Sequence, residues 1–112
     1  MTLMCLKLKI CHFLFNANAY WKSGNDIFRN FNGDISLWDV SGVTNMRGMF
    51  NFCEQFNCDL SHWDVSNVEN VEWMFYECRN FNQNLDNWDV SNVKEMLYVF
   101  DSCPTKAKWY KQ

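Results

Sequence analysis

The stretch Leu60-Ser61-His62-Trp63-Asp64-Val65-Ser66-Asn67-Val68 decides how this chain is read, because its key letters return 25 residues earlier and 25 residues later. Trp38-Asp39-Val40-Ser41 stands in the same register before it and Trp88-Asp89-Val90-Ser91 after it. Working outward, the columns Val43/Val68/Val93, Met46/Val71/Met96, Met49/Met74/Val99, Phe50/Phe75/Phe100 and Cys53/Cys78/Cys103 keep that register, and Phe31/Phe56/Phe81 precede the tryptophans. A period of about 20 to 50 residues is the mark of stacked units that bury their apolar faces only against one another.

Within one unit the apolar spacing changes. Trp63-x-Val65 alternates as a strand does. From Val68 onward the spacing Val68, Val71, Met74, Phe75, Cys78 follows one face of a helix. The asparagine-rich run Arg79-Asn80-Phe81-Asn82-Gln83-Asn84 then supplies turn-forming side chains. The expected fold is a repeat solenoid, with one short parallel strand near Trp38–Ser41, Trp63–Ser66 and Trp88–Ser91 and one short helix per 25-residue coil. Parallel crossovers prefer the right hand, so the solenoid is expected to be right-handed. Its core columns are Trp38, Trp63 and Trp88; Val40, Val65 and Val90; Phe50, Phe75 and Phe100; and Cys53, Cys78 and Cys103.

These residues resemble the leucine-rich-repeat-like surface proteins of the BspA type and, among them, the 25-residue "mycoplasma lipoprotein" repeats of unassigned function. The pattern is carried by Phe56, Asn57, Leu60, Trp63, Asp64, Val65, Ser66, Asn67, Val68, Met74, Phe75 and Cys78. It recurs from Phe81 to Cys103 and, with Gly42 in place of asparagine, from Phe31 to Cys53. The resemblance implies a right-handed leucine-rich-repeat-like solenoid, a place on the cell surface or outside the cell, and an adhesive or binding role. It carries no catalytic residues.

The domain boundaries follow from the register. Residues 28–103 form the array (28–53, 54–78 and 79–103), residues 1–27 depart from the pattern, and 104–112 form a basic tail. The N-terminal segment reads either as a cap over the open edge of the first coil or as a signal segment. Lys7 and Lys9 precede a short apolar run, and Ala17-Asn18-Ala19 has the small-x-small form of a cleavage site, but the run is short and contains His12. No run approaches the about 18 apolar residues that a membrane-spanning helix needs.

The net charge of −3 hides an uneven distribution. Residues 31–100 carry eleven acids against Arg47, Arg79 and Lys94, while Lys7, Lys9, Lys22 and Arg29 cluster before them and Lys106, Lys108 and Lys111 after. An acidic array without a continuous basic stripe is a poor match for phosphates, so nucleic acid is not an expected partner. A protein partner is.

Cys53, Cys78 and Cys103 occupy one column behind a core phenylalanine, where a thiol serves as a small buried hydrophobe in preference to a bridge between coils. Cys58, outside the core columns, is the expected exposed thiol. No cysteine pair has C-x-x-C spacing and His12 and His62 lie in no ligand pattern, so neither a zinc site nor any other cofactor is expected.

The column of greatest functional interest is Asp39, Asp64 and Asp89. If the flanking tryptophan and valine point inward, these carboxylates point outward in one row. The row is a solvated polar face, a contact surface for a basic partner, or a weak divalent-cation site. Their mutual repulsion is expected to favour protonation, so that asparagine in their place leaves stability unchanged or slightly raised. Trp73, Tyr76 and Tyr98 are the next candidates for a contact surface. No serine has a histidine at a recurring offset, and no phosphate-cradling glycine loop appears. The chain is therefore expected to be a non-catalytic interaction or adhesion module, with a short structural fragment of an expanded repeat family as the alternative.

Overall fold

The computed structural model describes residues 29–111. The expected cap or signal segment of residues 1–27 lies outside them. Among the described residues there is no α-helix and no extended strand, only turns and the isolated parallel bridges Asn45↔Asn70 and Asn70↔Glu95. The right-handed strand-plus-helix solenoid expected from the spacing is thus incorrect. The chain instead forms a compact body of 38 × 31 × 23 Å, built from successive tight turns.

The turns follow directly from the apolar letters. In residues 54–81 the backbone N–H groups of Trp63, Val68, Met74, Cys78 and Phe81 donate to the carbonyls three residues back, on Leu60, Val65, Val71, Phe75 and Cys78. All nine of these residues are buried. A turn directs its first and fourth residues the same way, so a chain of turns buries residues three apart and exposes the pair between them. That produces the three-residue spacing that was read as a helix face. The interval of two between Trp63 and Val65, read as a strand, arises where one turn ends just before the next begins.

Backbone pairing lies in the opposite half of the unit from the one expected. Trp38–Ser41, Trp63–Ser66 and Trp88–Ser91 contain no strand. The pairing runs through the supposed helices, where Met46, Gly48, Phe50 and Phe52 donate to the carbonyls of Asn70, Glu72, Met74 and Tyr76 at 2.8–2.9 Å. Val71, Trp73, Phe75 and Glu77 donate in turn to Glu95, Leu97, Val99 and Asp101 at 2.9–3.1 Å. Alternate N–H groups reach across to the neighbouring segment while those between them close turns, so the buried backbone is satisfied without regular elements.

The interior is aromatic. Phe50, Phe75 and Phe100 stack at centroid separations of 5.5 and 5.7 Å, and Phe31, Phe56 and Phe81 at 5.6 and 5.7 Å. The two stacks meet through Phe50–Phe56 at 4.3 Å and Phe75–Phe81 at 4.4 Å. The indole N–H of Trp63 donates to the Ile35 carbonyl at 3.0 Å and that of Trp88 to the Leu60 carbonyl at 2.9 Å. Phe31, Trp38, Val90, Val93 and Met96 are only half-buried, whereas the other members of the apolar columns lie in the interior.

Cys53, Cys78 and Cys103 are buried. Burial pushes the Cys103 thiol up to about 11 and the Cys78 thiol well above its ordinary value. Cys78 Sγ donates to the Phe50 carbonyl at 2.9 Å. Cys58 is half-buried beside Asp34, and burial raises its thiol too. The residues after 103 close one end of the core. Thr105 and Ala107 are buried, and Trp109 stacks on Trp88 at 6.3 Å with an angle of 8° between the rings.

Candidate functional site

Asp39, Asp64 and Asp89 are all exposed, each at a corner of the chain. One carboxylate oxygen of each accepts the backbone N–H and the hydroxyl of the serine two residues on. The distances to Ser41 are 3.0 and 2.6 Å, and the same pair of distances recurs at Ser66 and Ser91. These bonds hold all three carboxyls below the ordinary carboxylate range, with the serine hydroxyl the largest cause. The neighbouring aspartates do push Asp64 upward, but more weakly than the serine pulls it down. The expectation that repulsion favours protonation is therefore incorrect. A local Asx-type turn uses these carboxylates as acceptors, in keeping with the preference of Asp and Ser for such corners. Asp34 with Ser36 and Asp59 with Ser61 repeat the arrangement at another corner.

The second set of candidates occupies the opposite kind of turn position. Met46–Met49 and Phe50–Cys53 are consecutive hydrogen-bonded turns whose third residues, Gly48 and Phe52, have φ of 61° and 65°. That is the pattern of a type II turn, which favours glycine at its third residue. The corresponding residues farther along the chain are Trp73 and Glu77, at 57° and 61°, then Tyr98 and Ser102, at 59° and 58°. Only the first of these six corners carries glycine. Three, Phe52, Trp73 and Tyr98, carry large aromatic rings in a conformation that bulky side chains rarely adopt.

These corners build a groove of about 320 Å³ lined by Asn51, Phe52, Trp73, Tyr76, Tyr98 and Asp101. Trp73 lies 6.2 Å from Tyr76 and 6.4 Å from Tyr98 between ring centroids, and Phe52 meets Tyr76 edge-on at 5.5 Å. The Arg47 guanidinium sits 5.2 Å from the centre of the Trp73 ring, within cation–π range, and faces Glu72. Burial and the adjacent Glu95 raise the Glu72 carboxyl, against the pull of Arg47. Leu97 and Tyr98 extend the apolar surface, with about half of each exposed. Asn51 is 4 % exposed, and its carboxamide oxygen is buried without a hydrogen-bond partner.

The sequence places Trp73, Tyr76 and Tyr98 among the contact candidates, but Phe52, Asn51 and Asp101 join them only in the folded chain. The missed signal is the register itself, since Asn51, Tyr76 and Asp101 share one column and Gly48, Trp73 and Tyr98 another. Among the described residues, no group of three or more His, Cys, Asp and Glu side chains is arranged to hold a metal ion, and no helix is long and apolar enough to cross a membrane.

The chain belongs to the family described as Mycoplasma protein of unknown function, DUF285, whose pattern matches residues 24–111. No curated protein and no solved structure matches the chain.

Proposed function

We propose that this chain is a non-catalytic interaction or adhesion module whose contact face is the aromatic corner column around Trp73, Tyr76 and Tyr98, and not the aspartate row. The observation that carries the proposal is the left-handed backbone at Trp73 and Tyr98, where glycine would fit without strain and an aromatic ring, half-buried at Trp73 and exposed at Tyr98, stands instead. Strain of about 1–3 kcal/mol per residue persists where something other than stability maintains it, and functional surfaces are its usual location. Aromatic rings also supply contact area at low conformational cost, which is why they dominate binding hot spots. The BspA-type resemblance supports a surface or secreted location as part of the same reading.

Panning a displayed random-peptide library with the purified chain tests the proposal, alongside the double variant Trp73→Gly/Tyr98→Gly and the triple variant Asp39→Asn/Asp64→Asn/Asp89→Asn. The expected result is an enriched binder that the aromatic variant loses and the aspartate variant keeps. A chain that enriches nothing fits the structural-fragment alternative. A binder lost only by the triple variant moves the contact face to the carboxylates.

A further inference from the structure

The first segment of the stack, residues 29–53, is more buried than its place at one end allows. Among the described residues, its backbone pairing and ring contacts with other segments run to the second, residues 54–78. A segment covered on one side only leaves its other side to water. The third segment, residues 79–103, shows this, since Val90, Val93 and Met96 are half-buried even with residues 104–111 against part of that end. Their counterparts in the first segment, Val40, Val43 and Met46, are no more than 1 % exposed. They are as buried as Val65, Val68 and Val71 in the middle of the stack. The far side of the first segment is therefore covered.

The rest of the chain supplies the occupant. Gln112 follows the closing residues at the opposite end, which leaves residues 1–28, joined directly to the first segment at Arg29 and just longer than one 25-residue unit. They lack the Trp-Asp-Val-Ser signature. Yet the 25-residue offset puts Leu6, Ile10, Phe13, Phe15 and Trp21 in the columns of Phe31, Ile35, Trp38, Val40 and Met46. The columns of Val43, Met49 and Phe50 receive Asn18, Gly24 and Asn25 instead, so the apolar match is densest from Leu6 to Phe15. Asn67 and Asn92 tie their segments to the preceding one by donating to the Ser41 and Ser66 carbonyls, and Gly42 stands in their column without a side chain to donate. Apolar burial, not that ladder, must hold the cover in place. We infer that residues 1–28 of this chain dock on the outer side of the first segment and seal Val40, Val43 and Met46 from water, as the end of a stacked body requires. This inference is independent of the contact face proposed above.

Methionine oxidation in the full chain tests this, because Met46 and Met96 share one column at opposite ends and Met74 lies in the middle segment. Dilute hydrogen peroxide converts an accessible thioether to its sulfoxide and spares a buried one. In the native chain Met96 is expected to oxidise quickly, and Met46 as slowly as Met74. The double variant Phe13→Asp/Phe15→Asp places charge in the docking segment. It is expected to accelerate oxidation of Met46 at least about tenfold while Met74 stays slow, the mark of local opening rather than global unfolding. If Met74 accelerates equally, the variant has unfolded as a whole and the native chain decides. With photo-methionine in place of methionine, light is expected to join Met46 to residues 1–28 of the same molecule.

Met46 oxidising as fast as Met96 in the native chain would overturn the inference, because that end would then be open. So would a Met46 rate that ignores the double variant while the chain stays folded, or the absence of any cross-link from Met46 to residues 1–28. Protection of Met46 that fades on dilution, with cross-links between isotopically light and heavy copies, would give the face to a second copy of the chain and overturn it equally.

Discussion

Trp63 is buried against Phe50 and ties the previous segment to its own, because its ring lies 6.1 Å from Phe50 and its N–H caps the Ile35 carbonyl. Trp63→Ala is expected to cost about 3–5 kcal/mol, the range for truncating a buried large aromatic, and so to unfold much of the chain near its working temperature. A chemical-denaturation midpoint that barely moves would contradict this. The corner aspartates act through acidity. Their folded carboxyls lie below the ordinary value of 3.8, so the stability they contribute is complete above that value and is lost as pH falls through the depressed range. Thermal melts of the native chain should therefore decline steeply below about pH 4. The triple alanine variant at Asp39, Asp64 and Asp89 should start lower and decline less. The triple asparagine variant, which keeps an acceptor oxygen, should fall between the two near neutral pH, and not match or exceed the native chain as repulsion alone would have it.

At the scale of the turn, Gly48 and its counterparts Trp73 and Tyr98 form a natural comparison within one molecule. Gly48→Ala should destabilise the chain by about 1–2 kcal/mol, since a Cβ in the left-handed region clashes with the following carbonyl. Trp73→Gly and Tyr98→Gly should run the other way. Release of strain offsets the lost ring contacts, so the melting temperature is expected to hold or rise while partner binding disappears. A clear loss of stability would mean that the rings serve the fold and not a ligand. The same turns mark how far the fold was legible beforehand. The 25-residue offset identifies which side chains meet, because Phe50, Phe75 and Phe100 stack whatever backbone carries them. It does not identify that backbone, since a chain of turns and a helix both bury residues three apart. Neither does it reveal positive φ at Trp73, because no local rule places tryptophan at a glycine position. The Asp-x-Ser spacing is itself a corner signal, but the alternation of Trp63 and Val65 imitates a strand and so points Asp64 outward from a sheet instead of into a turn.

At the scale of the whole molecule, residues 104–111 cover one end of the stack of apolar segments. This stretch lacks the pattern of the preceding segments and reads from its lysines as a solvated basic tail. Lys106, Lys108 and Lys111 are indeed exposed, but the residues between them face inward. Thr105 donates its hydroxyl to the carbonyls of Phe81 and Gln83, and the Lys108 backbone N–H is held by Asp86 at 2.8 Å. Trp109 donates its indole N–H to the Leu85 carbonyl at 2.8 Å, as Trp63 and Trp88 do to Ile35 and Leu60. Together with Tyr110 it covers Phe100, with ring centroids 5.6 and 5.5 Å away. An open end of a stacked body exposes apolar side chains and unpaired backbone to water, so a closing segment contributes more than its length suggests. Trp109→Ala is therefore expected to destabilise the chain by up to about 3 kcal/mol, below the range for a fully buried tryptophan because this ring is partly exposed. The loss should be graded in space. Hydrogen exchange should accelerate first at the Cys103 and Val93 amides, less at those of Trp88 and Phe81, and least at those of Met46 and Phe50, since local opening starts where packing is thinnest. Uniform acceleration across all three segments would show instead that the body unfolds only as one cooperative unit and that Trp109 closes no particular end.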